Sequence, residues 1–322
     1  MSNVLPELFI DRLRRLTAEA DWPAVSASFS QPKDVGARVN ALVAPAARVS
    51  VALSDEGVPF EGQTWFSDAI RVPYSSRDAL TNSQAYQRRE IYIQNPSSML
   101  PVLALAPQPG EEVLDLCAAP GSKTLQIAAA MCNEGRVAAV ERARPRFFKL
   151  KSNIEAFGAG IVSCYGHDGR FVWRKVGERF DRVLLDAPCS SESRFRADDP
   201  ASFRYWGVKK IRQLVSVQKQ LLDSALRCLK PGGVLVYSTC SFAPEENEAV
   251  ISWLLHRLGG LVSVESIEVT LPNRRPAVLA WGADTYHSDV AKAVRITPDD
   301  FFDGFFLCRL RKHGSQADGE HP

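Results

Sequence analysis

The sequence lacks any apolar run of the roughly 18 residues that a membrane-spanning helix needs. Its opening stretch, MSNVLPELFIDRLRRL, sets Glu7 and Asp11 among apolar residues and lacks the layout of a signal peptide. The expected location is therefore the cytoplasm, with no membrane partner. A large excess of positive or negative charge is also missing. Lysine and arginine total 39 against 37 aspartates and glutamates, a net charge of +2, so contact with a polyanion must come from local basic patches. There is no C-x-x-C pair. The seven cysteines (Cys117, Cys132, Cys164, Cys189, Cys228, Cys240 and Cys308) are odd in number and scattered. That argues against a zinc site and against a disulfide framework, so no metal is expected and free thiols are. No internal repeat or low-complexity tract is present, and no motif reports on oligomeric state.

With 45% hydrophobic and 24% charged residues over 322 positions, the chain can bury one large α/β domain plus a smaller appendage. Residues 1–75 form a compositional zone of their own. They hold a candidate helix at 6–18, the segment RVNALVA (38–44), short apolar runs up to residue 73, and turns at Asp55-Glu56-Gly57 and Glu61-Gly62. We read this zone as a small N-terminal α+β domain, followed by a polar linker at 74–89. The second domain is expected over 76–312, with a disordered tail at 313–322. From about residue 91, buried-strand candidates at 113–116, 137–140, 183–185 and 234–237 alternate with helical segments, which predicts an α/β fold, a Rossmann-like parallel sheet with helices on both faces. Each strand ends in small or polar residues, and in such sheets the ligand lies beyond the strands' carboxyl ends.

The segment VLDLCAAPGSKT (113–124) predicts strand, tight loop and helix, with Pro120-Gly121 as the turn and Ser122 as a candidate cap. Small residues at Ala118, Ala119 and Gly121 let a bulky ligand approach the backbone. This is neither G-x-x-x-x-G-K-[ST], since position 116 is leucine, nor G-x-G-x-x-G. Glu141 follows the second strand, where an acid can bond both ribose hydroxyls of an adenosine. Asp168, in YGHDGR, is a candidate partner for an adenine amino group or an ordinary Asp-Gly turn. A nucleoside ligand without a phosphate loop points to S-adenosylmethionine.

Two cysteines fall at strand ends, Cys189 in LLDAPCSS and Cys240 in VLVYSTCS. Carbon 5 of cytosine does not attack a methyl sulfonium unaided. A thiolate added to carbon 6 makes carbon 5 nucleophilic, and a carboxyl group such as Asp186 near ring nitrogen 3 can share the developing charge. Carbon 6 is accessible only in an unstacked base, so a target would be single-stranded or flipped out. The other five cysteines read as structural.

In their order along the chain, RVN (38–40), QNPSSMLP (94–101), DLCAAPGSKT (115–124), Glu141 with Arg146, Asp168, DAPCS (186–190), KPGG (230–233), YSTCS (237–241), PEENE (244–248) and DGFF (303–306) resemble the Nol/Nop/Sun (RsmB-like) family of RNA cytosine-5 methyltransferases. The resemblance implies a class I methyltransferase sheet and an S-adenosylmethionine site formed by Cys117, Ala118, Ala119, Pro120, Gly121, Ser122, Lys123, Glu141, Arg146, Asp168 and Asp186. It implies that Cys240 attacks carbon 6 and that Cys189 assists product release. Asp186 would face the base and Lys123 would order that site. A Pro-Cys nucleophile, as in DNA cytosine-5 methyltransferases, would instead be Cys189; the Ser-Thr-Cys-Ser segment favours Cys240. One departure stands out. After Pro-Cys the family runs on in small, glycine-rich residues, whereas this chain has CSSESRFRADDP (189–200).

The implied substrate is ribosomal or transfer RNA, with ribosomal RNA preferred. A catalytically idle RNA-binding or assembly factor is the alternative, and loss of either cysteine or of Asp186 would have favoured it. In RFRADDPASFRYWGVKKIR (194–212), basic and aromatic residues interleave, either to contact phosphates and bases or as core aromatics beneath a solvated helix. A second basic run, Arg142 to Lys151, reads mainly as a solvated helix face.

Overall fold

A computed structural model describes residues 5–314. Apart from His313 and Gly314, the expected tail lies outside the described residues. Four short strands, β1 (Val35–Val39), β2 (Glu61–Gln63), β3 (Phe66–Val72) and β4 (Ile91–Ile93), form an antiparallel sheet in the order β2-β3-β1-β4. This sheet continues past the expected division at residue 75, because its edge strand is β4. The stretch expected as a linker instead contains the short helices Arg77–Asn82 and Gln84–Gln87. Their Leu80 and Ala85 are fully buried in the small sheet's core, which gives this polar stretch its reason to fold. The first helix, Glu7–Leu16, packs elsewhere. Phe9 and Leu13, one turn apart on one face, join Phe29, Phe195 and Phe242 in a cluster beside the loops of the larger sheet.

The larger sheet has nine strands among the described residues. Its parallel part comprises β5 (Glu112–Asp115), β6 (Arg136–Val140), β7 (Val162–Tyr165), β8 (Phe180–Asp186) and β9 (Leu229–Thr239), ordered β7-β6-β5-β8-β9. An antiparallel extension, not foreseen from the sequence, follows from β10 (Val262–Glu265), β11 (Arg274–Pro276), β14 (Val294–Ile296) and β15 (Phe305–Lys312). A separate hairpin, β12 (Ala280–Trp281) with β13 (Asp284–Thr285), lies between them in sequence. β15 pairs with β9, and β14 and β10 pair with β15.

Side chains alternate across this sheet as the period-2 pleat requires. Leu114, Val183, Leu185, Leu235 and Tyr237 pack with the helices Val208–Cys228 and Glu248–Leu258. Val113, Leu184, Val234 and Val236 pack with the helices Leu100–Leu105 and Ser122–Ala130. Helices thus cover both faces, as expected of a Rossmann-like sheet. The chain leaves β5 towards β6 and β7 and then crosses back to β8 and β9. This reversal opens a crevice at the carboxyl ends of the strands.

The two sheets are fastened by buried polar groups. Arg38, only 1% exposed, donates Nε to Gln94 Oε1 (3.1 Å), and Gln94 Nε2 donates to Gln126 Oε1 (3.1 Å). Burial pulls the Arg38 guanidinium down to about 10. Asn40 Nδ2 donates to the Phe157 carbonyl at 3.1 Å. The RVN and QNPSS pieces of the sequence are thus the struts that hold the small sheet over the crevice.

Candidate active site

The crevice is a cleft of about 900 Å³. Its floor is the loop after β5. Gly121 adopts a left-handed backbone (φ +111°), and a Cβ there would press to 3.1 Å from Leu150 Cδ1. Gly121 itself takes the helix cap position, so Ser122, expected as the cap, is the first helical residue. Of the residues singled out from the sequence for the site, all but Gly121 line the cleft.

At its cofactor end, Glu141 is 5% exposed, accepts from Ala143 N (2.7 Å) and lies 3.4 Å from Arg146 Nη1. Arg146 donates Nη2 to the Ala119 carbonyl, pinning the loop (2.6 Å). Asp168 is gripped by Arg170 through Nη2 (2.6 Å) and Nε, which holds its carboxyl below the usual range. Asp115 lines the same cleft. One of its oxygens accepts from Thr124 Oγ1 (2.7 Å), while Oδ1 is buried with no partner. Burial raises this carboxyl to about 6. An orphaned buried acceptor beside a glycine-shaped cradle, with Glu141 at the next strand end, fits an adenosyl ligand carrying hydroxyl and amino donors.

At the chemical end, Lys123 Nζ donates to Asp186 Oδ2 and to Ser98 Oγ, each at 2.7 Å. Ser238 Oγ donates to the other oxygen of Asp186 at 2.9 Å. Cys189 follows β8, Cys240 follows β9, and their sulfurs lie 3.4 Å apart. Both are half-buried, so neither is sealed from the cleft. A hydrogen bond from the Cys189 thiol, aided by the positive charge of Arg194, outweighs burial and lowers Cys240 to about 7. Cys189 is pushed well up by that same bond, by burial and by the charges of Cys240 and Glu246. The two sulfurs are thus shifted in opposite directions within one contact. Burial raises Cys117, Cys164, Cys228 and Cys308, as suits inert thiols.

The sequence reading assigned no role to two buried carboxylates that stitch the cysteine loops together. Glu246 accepts from Ser190 N (3.0 Å), Ser190 Oγ, Ser241 Oγ (2.6 Å) and Gln218 Nε2 (2.9 Å). Glu192 accepts from Phe242 N (2.8 Å), Ala243 N (2.9 Å), Ser241 Oγ and Trp206 Nε1 (2.8 Å). The only sequence signal was acidic density in PEENE next to YSTCS. The same motif supplies Glu248, held bidentately by Arg295 at 2.6 Å through both Nε and Nη2.

The basic–aromatic stretch divides between its two readings. Phe195 is buried in the aromatic cluster, with Phe203 and Trp206 packed against it, whereas Tyr205 is 80% exposed. In the second basic run, Arg142 and Arg146 line the cleft, and Arg144, Lys149 and Lys151 are exposed. Among the described residues no group of three or more His, Cys, Asp or Glu side chains is arranged to hold a metal. None of the helices among them is long and apolar enough to cross a membrane.

A family profile described as 16S rRNA methyltransferase RsmB/F matches residues 102–311. The chain belongs to this family. Relatives named ribosomal RNA small subunit methyltransferase F, from Aeromonas salmonicida and Vibrio vulnificus, are each 35% identical and cover 98% of this chain. The chain spans 65% and 66% of those relatives' lengths. A solved methyltransferase homolog protein from Pyrococcus horikoshii is 30% identical, with a TM-score of 0.77 over 96% of this chain and 100% of its own. NSun6 from the same organism, solved with SFG, shares the fold at 20% identity, with a TM-score of 0.79 over 98% of this chain and 100% of its own. Membership of this methyltransferase family makes S-adenosylmethionine the cofactor, and the residues of the cleft fit it.

Proposed function

We propose that this chain methylates carbon 5 of a cytidine in RNA, with Cys240 as the nucleophile that adds to carbon 6. The observation that carries this reading is the meeting of a low-pKa thiol, a second protonated thiol and Asp186 in the cleft that also holds the cofactor loop. When bound, S-adenosylmethionine supplies an electrophilic methyl group. The chain's own residues do the rest. Cys240 attacks as thiolate and forms the sulfur–carbon 6 bond, which loads electron density onto carbon 5. Asp186, oriented by Lys123 and Ser238, faces ring nitrogen 3 and the amino group, where charge develops. After methylation, loss of the carbon 5 proton to a base breaks the sulfur–carbon bond and returns Cys240 as thiolate. Cys189, in contact with the departing sulfur, assists that release.

Ribosomal RNA is the substrate we favour, in line with the names of the family and of its relatives. The cytoplasm is its expected place of action. The small N-terminal sheet, whose β4 supplies Tyr92 and Ile93 to the cleft, serves as the second wall of an RNA channel. The idle-factor alternative has no observation in its favour, since both thiols and Asp186 are present. The test is Cys240→Ala. We expect cytosine-5 methylation, read by bisulfite sequencing of RNA, to vanish while cofactor binding by calorimetry persists. Methylation that survives in the variant would refute the assignment.

A further inference from the structure

We propose that Arg194 is a positioning residue whose guanidinium holds Cys240 in its reactive, ionised form. This rests on Cys240 as nucleophile and adds the group that readies it. Arg194 closes the turn Glu192–Arg194, inside the segment where this chain departs from the glycine-rich pattern it otherwise resembles. The turn is fastened on both sides of Arg194, on the first side to the nucleophile's own strand end. Ser193 N donates to the Cys240 carbonyl at 3.1 Å, and the Glu192 carboxylate accepts from Phe242 N and Ala243 N. On the other side, Phe195 is 2% exposed, with its ring 4.9 Å from that of Phe9. The backbone carrying Arg194 therefore cannot drift away from Cys240.

Arg194 lines the cleft with Cys189, Cys240 and Asp186, and among the described residues its guanidinium makes no hydrogen bond or ion pair. An arginine sharing a cleft with two thiols favours charge on sulfur, although the carboxylates of Asp186 and Asp303 also draw on its field. The charges around the pair assign it that role. Asp186 opposes ionisation of Cys240, but Lys123 offsets it through a 2.7 Å ion pair; Glu246 acts on Cys189; Arg194 is the cation that favours charge on Cys240. Arg194 sits at the exposed mouth of the cleft, so water screens part of its effect and its influence is moderate.

The experiment is pH-resolved alkylation of the full chain by iodoacetamide without RNA, with the Cys240 peptide quantified by mass spectrometry. In the wild type we expect a midpoint of about 7. In Arg194→Gln we expect it to rise by about half a unit to one unit, slowing alkylation at neutral pH by about two- to fivefold. Arg194→Lys should restore most of the loss. Single-turnover methylation by Arg194→Gln should fall by a similar factor at neutral pH and recover in alkali, with KM for RNA unchanged. An unmoved midpoint overturns the proposal. So does a raised KM with an unmoved midpoint, which would make Arg194 a phosphate contact. Either result leaves Cys240 as nucleophile, whereas methylation by Cys240→Ala would strike at the assignment beneath.

Discussion

Replacing Glu246 by alanine removes the carboxylate on which the Cys189 and Cys240 loops converge. The cost can be worked from its four donors. Ser190 Oγ and Ser241 Oγ lie 2.9 Å apart and can bond each other, and Gln218 Nε2 keeps the Pro188 carbonyl at 3.0 Å. Ser190 N is left without a partner, at a cost of about 1–3 kcal/mol. The fully buried side chain also leaves a cavity worth on the order of 1–2 kcal/mol. We therefore expect a net loss of about 3 kcal/mol, or about 5 °C in Tm for a chain of this size. Glu246→Gln keeps the volume and one acceptor oxygen but turns an amide towards a donor, so its loss should be smaller, about 1–2 kcal/mol. Burial raises the Glu246 carboxyl above its ordinary value. The folded state then holds the proton more tightly than the unfolded one. The resulting stability is full below the unfolded pKa and is lost as pH rises through the folded one, so the gap between wild type and Glu246→Gln should narrow with rising pH. The assay is denaturant unfolding over a pH series, with methylation followed in parallel. An alanine variant that loses under about 1 kcal/mol, or a gap that widens with pH, would refute this account of how the loops are held.

Two further stability effects follow from buried or strained groups. Arg295→Met would strand Glu248, which is fully buried, and should cost about 3–5 kcal/mol in urea unfolding. A loss under about 1 kcal/mol would mean that Val278 N, already 3.1 Å from Glu248, suffices as a partner. Ser191 adopts a left-handed backbone (φ +56°), a conformation that costs a non-glycine residue about 1–2 kcal/mol. Ser191→Gly should stabilise the chain by somewhat under about 1 kcal/mol, after the greater freedom of glycine in the unfolded state is set against that strain. A less stable variant would show that Ser191 Oγ, beside Cys189, contributes more than the strain costs.

Four of the five parallel strands were legible because each is a short apolar run ending near a chemically distinctive residue: Asp115, Glu141, Asp186 and Thr239 before Cys240; β7, half-exposed along its length, was not. The antiparallel extension was not. β14 and β15 follow a loop-rich stretch, and their pairing with β9 depends on contacts far apart in sequence. The N-terminal zone misled for a related reason. Glu7–Leu16 is a clear amphipathic helix, but nothing local in the sequence says that Phe9 will meet Phe195 and Phe242. At the site, motif residues with their own chemistry stood out, whereas Glu192 and Glu246 looked like surface charges. Only the fold shows that Glu246 takes donors from Ser190 and Ser241, beyond two separate strands, and that Glu192, beyond one of them, accepts from Phe242 and Ala243 beyond the other. Arg194 was visible as part of a basic run, and its place in the cleft of the two thiols was not.

The central claim is a covalent bond from Cys240 to the base, and the measurement closest to it is peptide mapping of the protein–RNA adduct trapped by Cys189→Ala during turnover. We predict a denaturation-resistant adduct whose RNA-derived mass sits on the peptide bearing Cys240. The same mass on a peptide bearing another cysteine, or no adduct at all while methylation proceeds, would contradict it.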